Sequence, residues 1–468
     1  MSNGQVACSE DFSQTSGDPI PADWSAVTRG VFRGAAGAKV DLLGVDIRIT
    51  EDLTIIADGD LTIDGNIEVA GRGGLAPFPL FSTSEPNINL ISLNGSVIVT
   101  QGTQIGPLSE SQPGADLVTG SGLVPAIGGD AADAGYIRIS GVSLEIAGFV
   151  RGISGGAGGD AIEDRTGGTA ALEALFEFLN ILQSSRADGG RGGKGGDLVL
   201  CALEGITIAA TGDVVGGFGG VGGFAKAVAD KGAPATATGG RCGDAGNVII
   251  NGMQPGCQIR HEGDLAGGTG GRPVKPSAVA IGGTDAPVGG HATARGSDAG
   301  AGGTVIFNAN CVLIGRGVVE AGDGPPGGDA EATGGNGGQL RAPPTSVFNG
   351  AGGSGGNATA HGGAGGAAGA TPAVPLDPFF PPTTTNGRAG NNGAGGRATA
   401  TPGNGGNAVA TPAGMLRGGN SGAGEARGGP NGRGQGQATP VTTPASRPAA
   451  ATPQTGALGT PAAQAGVP

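Results

Sequence analysis

Three acidic residues near the start of the chain are the first candidates for chemistry. Asp58, Asp60 and Asp64 lie within one short stretch, and Asp60 and Asp64 would project from the same face of a strand. Enzymes that cleave polysaccharides commonly use paired carboxylates as acid and base. These acidic residues do not recur at matching positions further along, and Asp beside Gly is common in turns. The sequence therefore predicts no catalytic residue here and no enzyme.

Metal, phosphate and thiol motifs give no better candidate. The three histidines, His261, His291 and His361, are scattered, which argues against a histidine-rich metal site. No Gly-Lys-Ser/Thr follows any GG-x-GG run, so these runs are not phosphate loops. The five cysteines contain no C-x-x-C pair. Cys242 and Cys257 flank a predicted strand and are a candidate disulfide pair, but buried free thiols that act as small apolar residues are the favoured interpretation. We predict neither a metal nor a cofactor.

Composition and charge exclude several broad classes. Gly supplies 104 of the 468 residues and aromatic residues only 3%, which is too little bulky apolar mass for one large conventional core. The net charge of −13 argues against binding of nucleic acid. No apolar run is long enough to insert into a membrane, and the first residues show no signal-peptide pattern. The Thr/Pro-rich end and the scarcity of Lys and Tyr favour an extracellular or cell-surface location.

Two sequons are candidate glycosylation sites. Asn94 begins the triplet Asn-Gly-Ser and Asn357 begins Asn-Ala-Thr. Both match the acceptor pattern for N-linked glycans, a pattern that also occurs by chance.

A short pattern, Gly-x-apolar-x-apolar, recurs along the chain. Each copy is followed by a second apolar pair and then by a third short apolar segment, and alternation of this kind predicts short strands. Three strands in each repeat, stacked repeat on repeat, predict an all-β parallel β-solenoid. An antiparallel sandwich is the alternative. In the solenoid the first apolar residues of successive copies would form one inward ladder: Leu61, Val97, Ile137, Leu198, Val248 and Val305.

Glycine-rich insertions separate the predicted strands. They alternate GG-x-GG blocks with Ala-x-Ala segments, as in residues 216–228. Because glycine lets backbones approach closely, insertions held at one corner of a solenoid could stack as extended arms resembling polyglycine II. Flexible loops are the alternative, since ordering each residue costs about 1–2 kcal/mol. One insertion differs, because residues 169–187 are rich in helix formers and predict a short helix.

The chain divides into four predicted regions. Residues 1–38 form an N-terminal cap, and residues 39–345 form the solenoid with its insertions. Residues 346–437 keep the glycine-rich arms but lose the strand repeat. Residues 438–468 are rich in Pro, Ala and Thr and predict a linker or disordered tail.

The strand triplets with GG-x-GG insertions resemble bacterial β-solenoid surface proteins of the filamentous-haemagglutinin or pectate-lyase-like type. The glycine-rich arms are similar to the polyglycine II layers of phage tail-tip adhesins and of mycobacterial glycine-rich surface proteins. This resemblance implies surface display, adhesion or scaffolding.

The leading functional expectation is a non-catalytic extracellular structural protein that assembles with itself into a fibre or surface layer, since open solenoid ends expose unpaired strand edges. An adhesin on a cell surface or a phage tail tip, binding a glycan or a protein, is the first alternative. A polysaccharide-active β-helix enzyme is the second. The expected partners are further copies of the chain and surface glycans.

Overall fold

The computed structural model describes most of the first two thirds of the chain and selected segments after it. The described residues are 8, 12–70, 86–107, 116–119, 125–165, 184–230, 232–254, 257–284, 289–308, 312–315, 317–336, 340–341, 357–361, 364, 367, 391–392, 394, 397–401, 408–409 and 423–427. The tail predicted at 438–468 and most of the predicted helix lie outside these residues.

The described residues form an essentially all-β structure. Their one helical element is the short 3-10 turn Phe12–Gln14. All pairings between described strands are parallel, in several separate sheets. The antiparallel sandwich is therefore wrong for this part of the chain.

The largest sheet, here called the core sheet, contains 13 strands in two rows. The first row consists of Asp18–Pro19, Gly30–Arg33, Leu53–Ala57, Ile88–Ser92, Ile137–Ile146, Leu198–Ile208, Val248–Gly252 and Val305–Asn308. The second row consists of Val40–Leu43, Leu61–Asp64, Ser96–Val99, the second halves of Ile137–Ile146 and Leu198–Ile208, Gln258–His261 and Val312–Gly315.

A second sheet contains seven strands and is here called the side sheet. In each repeat, one strand of the side sheet follows the core-sheet strands along the chain. Its strands are Ile47–Ile49, Ile67–Val69, Gln104–Pro107, Phe149–Arg151, Asp213–Val215, Asp264–Ala266 and Val319–Glu320. Alternate residues of the core and side sheets point inward and form one apolar cluster of Ile, Leu and Val side chains. A separate pair of short strands, Leu340–Arg341 and Ala408–Val409, lies apart from both sheets.

Two further sheets of six strands each are built on alternating alanine. The outgoing alanine sheet contains Leu117–Thr119, Ala161–Asp164, Ala225–Val228, Ala278–Ile281, Ala330–Thr333 and Ala398–Thr401. The returning alanine sheet contains Ala126–Ile127, Ser185–Asp188, Ala235–Thr238, Ala292–Arg295, Ala358–His361 and Gly424–Arg427. The inward side chains form a second core made almost wholly of alanine. These sheets run across the predicted boundary at residue 345.

The predicted ladder is correct over its last four members. Ile137 pairs with Leu198, Leu198 with Val248, and Val248 with Val305, all in the first row. The row continues from Ile137 to Ile88, which the repeat pattern did not select.

The first two members of the predicted ladder belong to the second row instead. Leu61 pairs with Val97, and Val97 pairs with Leu144. The ladder is therefore wrong at these positions, although both side chains are fully buried. The cause is that Gly-x-apolar-x-apolar precedes the second strand of the early repeats and the first strand of the later ones.

Two predicted strand pairs are merged into single long strands. Ile137–Ile146 and Leu198–Ile208 each span both rows, with a shift in register between Gly141 and Ser143. An irregularity of this kind bends a strand without ending it. A spacing of about five residues between apolar pairs therefore does not distinguish a turn between two strands from a bulge within one strand.

The N-terminal residues close one end of the core. Trp24 is 5% exposed and packs edge-to-face on Phe32, with ring centroids 5.2 Å apart. Phe32 lies on Gly30–Arg33, which already pairs with Leu53–Ala57. The guanidinium of Arg33 donates hydrogen bonds to the carbonyl groups of Ser13 and Thr15. The predicted cap thus contains strands of the core sheet as well as covering residues.

The predicted helix at 169–187 is wrong at its C-terminal end. Residues 169–183 lie outside the described residues, and residues 185–187 belong to the strand Ser185–Asp188. The reason is pairing, since Ser185 to Asp188 align with Ala235 to Thr238 and place Ala187 in the alanine core.

The glycine-rich segments between the sheets are joined by backbone hydrogen bonds at every third residue. The amides of Gly190, Gly193 and Gly196 donate to the carbonyl groups of Gly159, Gly156 and Ile153, which run in the opposite direction. The amides of Gly217, Gly220 and Gly223 donate in turn to Gly196, Gly193 and Gly190. Each segment thus bonds to antiparallel neighbours on both sides.

A second set of bonds links each segment to the parallel segment of the next repeat. The amides of Gly189, Gly192 and Gly195 donate to the carbonyl groups of Thr238, Arg241 and Asp244. The two sets together define the glycine lattice, the bonded layers formed by residues 128–135, 152–160, 189–197, 216–224, 239–247 and their later equivalents. The flexible-loop alternative does not hold for these segments.

The close spacing explains why two of every three residues in segments 189–197 and 216–224 of the lattice are glycine. A Cβ added at Gly220 would overlap the carbonyl oxygen of Gly156, and one added at Gly193 would overlap that of Ala132. The intervening residue, such as Val221, is half-exposed and accommodates a side chain.

We expect Gly220→Ala to lower the unfolding free energy by about 1–3 kcal/mol, because the added methyl forces two bonded segments apart. Val221→Ala, one residue away at an outward position, is the matched control and should cost less than about 1 kcal/mol. Urea unfolding of both variants measures the difference. Equal stability of the two variants would contradict the proposed packing.

Candidate functional surfaces

Asp60, the strongest sequence candidate for chemistry, connects neighbouring strands. Its carboxylate accepts a hydrogen bond of 3.0 Å from the amide of Ser96 and lies 2.9 Å from the ammonium of Lys39. These two contacts, the Ser96 amide first, hold the pKa of Asp60 below its ordinary value. A general acid needs the opposite shift, toward neutral pH. The arrangement therefore favours a structural carboxylate.

The other two acidic candidates have similar partners. Asp58 accepts hydrogen bonds from the amide of Gly37 and, at 3.0 Å, from the side chain of Asn94. Asp64 accepts one of 2.7 Å from the hydroxyl of Thr100. Every one of these bonds crosses from one repeat to a neighbouring repeat. Each of the three carboxylates therefore has its own partners in a neighbouring repeat.

Asp and Asn side chains line the outer edge of the glycine lattice, which the sequence analysis did not foresee. Asp130 and Asp133 accept hydrogen bonds of 2.7 Å from the amides of Arg191 and Lys194, one layer further along. These amides belong to the outward residues of GG-x-GG. The side chains of Asp130 and Asp133 thus satisfy two backbone donors at the outer edge that the bonds within the lattice leave over.

The same contact recurs along the first row of the core sheet. Asp197 accepts a bond of 2.8 Å from the amide of Asn247, and Asn247 accepts one of 2.9 Å from the amide of Thr304. The chain therefore uses Asp and Asn interchangeably at this position. Asp or Asn directly before a strand, recurring at the spacing of the repeats, was the signal available in the sequence.

The three histidines occupy unrelated environments. His261 is 0% exposed within the core sheet, where it aligns with Ile208. His291 accepts a hydrogen bond of 3.0 Å from the amide of Asn357 through Nδ1, and His361 lies on the outer face of the returning alanine sheet. Among the described residues, no group of three or more His, Cys, Asp or Glu side chains is placed to hold a metal ion.

Burial lowers the pKa of His261, although the backbone of Gly263 and the carboxylate of Asp264 act in the opposite direction. The neutral ring therefore fits the core better than the charged ring.

The predicted disulfide between Cys242 and Cys257 is wrong. Cys8 is bonded to Cys201 across 193 residues, with the Cα atoms 5.9 Å apart. Cys257 is also disulfide-bonded, whereas Cys242 is a buried free thiol. Cys242 accepts a hydrogen bond from the amide of Gly222, and burial raises the pKa of its thiol to about 12. Flanking a strand in sequence does not bring two cysteines together when the strand's neighbours come from other repeats.

Both predicted glycosylation sites are exposed. Asn94 donates its side-chain amide to Asp58, and the side-chain oxygen of Asn357 accepts a bond of 2.8 Å from the amide of Ala423. Glycosylation of either residue stays a prediction.

No protein-family model, curated protein or solved structure matches this chain. The described residues contain no helix with the length and apolar character needed to cross a bilayer.

Asp197 offers a direct test of the role of the outer-edge carboxylates. Asp197→Ala leaves the Asn247 amide without its partner and should lower the unfolding free energy by about 1–3 kcal/mol. Asp197→Asn keeps the acceptor that Asn247 itself supplies to Thr304, so a change of less than about 1 kcal/mol is expected. Chemical unfolding of the two variants separates the roles. Equal losses would show that charge, and not hydrogen bonding, matters at this site.

His261 should make the protein less stable in mild acid. Below its ordinary pKa of about 6.5, the unfolded chain takes up a proton that the buried ring resists, so the unfolding free energy falls as the pH drops. His261→Leu should remove this part of the pH dependence, while His361→Gln on the outer face should keep it. Unfolding curves between about pH 7 and pH 5 measure it. A slope that His261→Leu leaves unchanged would refute this assignment.

Proposed function

We propose that the chain is a non-catalytic extracellular structural protein that assembles with copies of itself, in a fibre or a surface layer. The observation that carries this proposal is the use of the polar side chains. The acidic candidates and the Asp and Asn residues of the outer edge bind backbone or side-chain groups of adjacent repeats. These side chains connect adjacent repeats of a scaffold, and none of them is placed to act as a catalytic acid or base.

We further propose that the sheets and the glycine lattice are parts of one β-solenoid coil with polyglycine II arms. The support comes from continuous register between residues 149–164 and 213–228. Val150 pairs with Val214, the amides of Gly155 and Gly158 bond to Phe218 and Val221, and Ala161 pairs with Ala225. Two successive repeats therefore lie side by side and stay in register from the side sheet, through the lattice, to the outgoing alanine sheet.

The extracellular location is supported by the cysteines. Cys8 and Cys201 are joined, and Cys257 is also oxidised. Disulfides persist in oxidising compartments and are rare in the cytosol. The bond joins Cys8 to the core-sheet strand Leu198–Ile208. On the neighbouring strand, the Arg138 guanidinium lies 4.9 Å from the ring centre of Phe12.

An adhesin is the second candidate, favoured by one row of apolar side chains. Phe218, Val221 and Phe224 occupy successive outward positions of one lattice segment and are half-buried, while the glycines between them are largely buried. The guanidinium of Arg151 lies 4.0 Å from the centre of the Phe218 ring and covers one of its faces, so the proposed sugar contact uses the remaining aromatic surface of this row. A surface glycan is the ligand of this alternative.

Electron microscopy of the protein from its native source tests the leading proposal. We expect fibres or ordered layers whose assembly survives buffer exchange, together with surface labelling of intact cells by an antibody. Dispersed single particles inside the cell would contradict it.

A pull-down on insoluble glycans tests the adhesin. Binding that is lost in the Phe218→Ala/Phe224→Ala variant, with Val279→Ala as a control on the outgoing alanine sheet, would favour the second candidate over the first.

A further inference from the structure

The two alanine sheets end differently from how they begin. At the start, Ala126 is 0% exposed. Near the other end, Ala358 and Ala360 are 1% and 0% exposed, whereas Ala398 and Ala400, on the last strand of the outgoing sheet, are only half-buried. The alanine core therefore stops at an open surface, here called the open end, formed by Ala398–Thr401 and Gly424–Arg427.

Among the described residues, the backbone at the open end is also unpaired along one side. Ala398–Thr401 pairs with Ala330–Thr333 and Gly424–Arg427 pairs with Ala358–His361, and neither pairs with a further strand among the described residues. An exposed edge of this kind is a template for pairing with another strand. Because Ala426 points inward as Ala360 does, an added strand with a small residue at that place would extend the alanine core.

The opposite end of the molecule differs from the open end. The edge strand of the core sheet there is the exposed two-residue strand Asp18–Pro19, and its proline has no amide to donate. Val40, on the first strand of the second row, and Ile47, on the first strand of the side sheet, are 3% and 1% exposed.

The alanine sheets begin with Leu117–Thr119 and Ala126–Ile127, and each of these strands has one neighbour among the described strands. Ala126 is nevertheless 0% exposed, whereas Ala398 and Ala400 are half-buried. Contact between two open ends therefore covers more exposed alanine than head-to-tail stacking does.

The chain's own tail is a poor occupant for the open end. Residues 428–468 follow the last described strand and contain Pro430, Pro440, Pro444, Pro448, Pro453, Pro461 and Pro468. Proline has no amide to donate and is largely excluded from paired strand positions.

Charge complementarity favours a second copy of the chain. Glu425 and Arg427 form an ion pair of 2.6 Å with each other on the outer face of the last returning strand, and their side chains stay 52% and 70% exposed. If two such strands pair antiparallel about Ala426, Glu425 of each copy lies opposite Arg427 of the other. Opposite charges placed directly across two strands stabilise the pair, and like charges destabilise it. The same twofold arrangement places Ala426 against Ala426.

We propose that the open end binds the open end of a second copy, forming a twofold dimer through antiparallel pairing of Gly424–Arg427 and of Ala398–Thr401. This inference rests on the proposed self-assembly and names its first contact. Such a contact is closed, since each copy uses the same surface. A fibre or layer would then be built from dimers through other surfaces.

Sedimentation of the full chain over a range of concentrations tests the dimer, with charge exchange as the specific probe. The wild type should dimerise. Glu425→Arg alone and Arg427→Glu alone each place like charges across the contact and should weaken dimerisation about tenfold. The double variant Glu425→Arg/Arg427→Glu restores both pairs and should restore the wild-type dimer. Lys226→Glu, on the strand Ala225–Val228 of the outgoing alanine sheet, lies three strands from the open end, is the matched control and should have no effect.

Three results would overturn the inference. A wild type that is monomeric at every concentration has no such contact. A dimer that is indifferent to both single exchanges uses another surface, and a dimer lost on removal of residues 428–468 is held by the tail. Microscopy of the same samples separates this inference from the proposed function. Assemblies formed without sensitivity to residues 425 and 427 would refute the dimer alone, while dimers that never assemble further would refute the structural role alone.

Discussion

The bond between two glycine segments at every third residue is the interaction on which the rest of the structure depends. Gly220 bonds to Gly193, and Gly193 bonds to Gly156, in layers that leave no room for a Cβ. Ordering these glycine-rich segments costs about 1–2 kcal/mol of conformational entropy per residue. Strands at both ends, such as Phe149–Arg151 and Ala161–Asp164, hold each segment in place and so offset part of that loss. The sheets and the lattice therefore stabilise one another.

The lattice also explains where the polar residues are placed. Since two backbone positions in three are bonded inside the layers, the third faces solvent and can carry any side chain. Where the preceding layer carries an Asp or Asn, that side chain accepts a hydrogen bond from this amide, as Asp133 does from Lys194 and Asp197 from Asn247. Carboxylates that suggest chemistry in the sequence thus act as acceptors for backbone amides. This use is consistent with a scaffold and gives the acidic residues a role that needs no substrate.

Much of the architecture can be predicted from the sequence, and the predictions that are wrong have identifiable physical causes. Apolar alternation predicts strands and parallel stacking, and the ladder from Ile137 to Val305 is correct. The predicted ladder misplaces Leu61 and Val97, because the same glycine pattern precedes strands of both rows and only the strand pairing distinguishes the two rows. The Ala-x-Ala segments are visible in the sequence as a repeated pattern. Their packing into a second core depends on neighbours 50 to 68 residues away, such as Ala398 on Ala330. The Cys8–Cys201 bond is equally non-local.

Amide hydrogen exchange, resolved by residue, tests the central claim most directly. If the lattice is bonded as described, the amides of Gly190, Gly193, Gly220 and Gly223 exchange as slowly as that of Leu198 in the neighbouring core sheet. Exchange of these glycine amides at the rate of an unstructured peptide, with Leu198 still protected, would show that the strands stand without the lattice and would contradict the account.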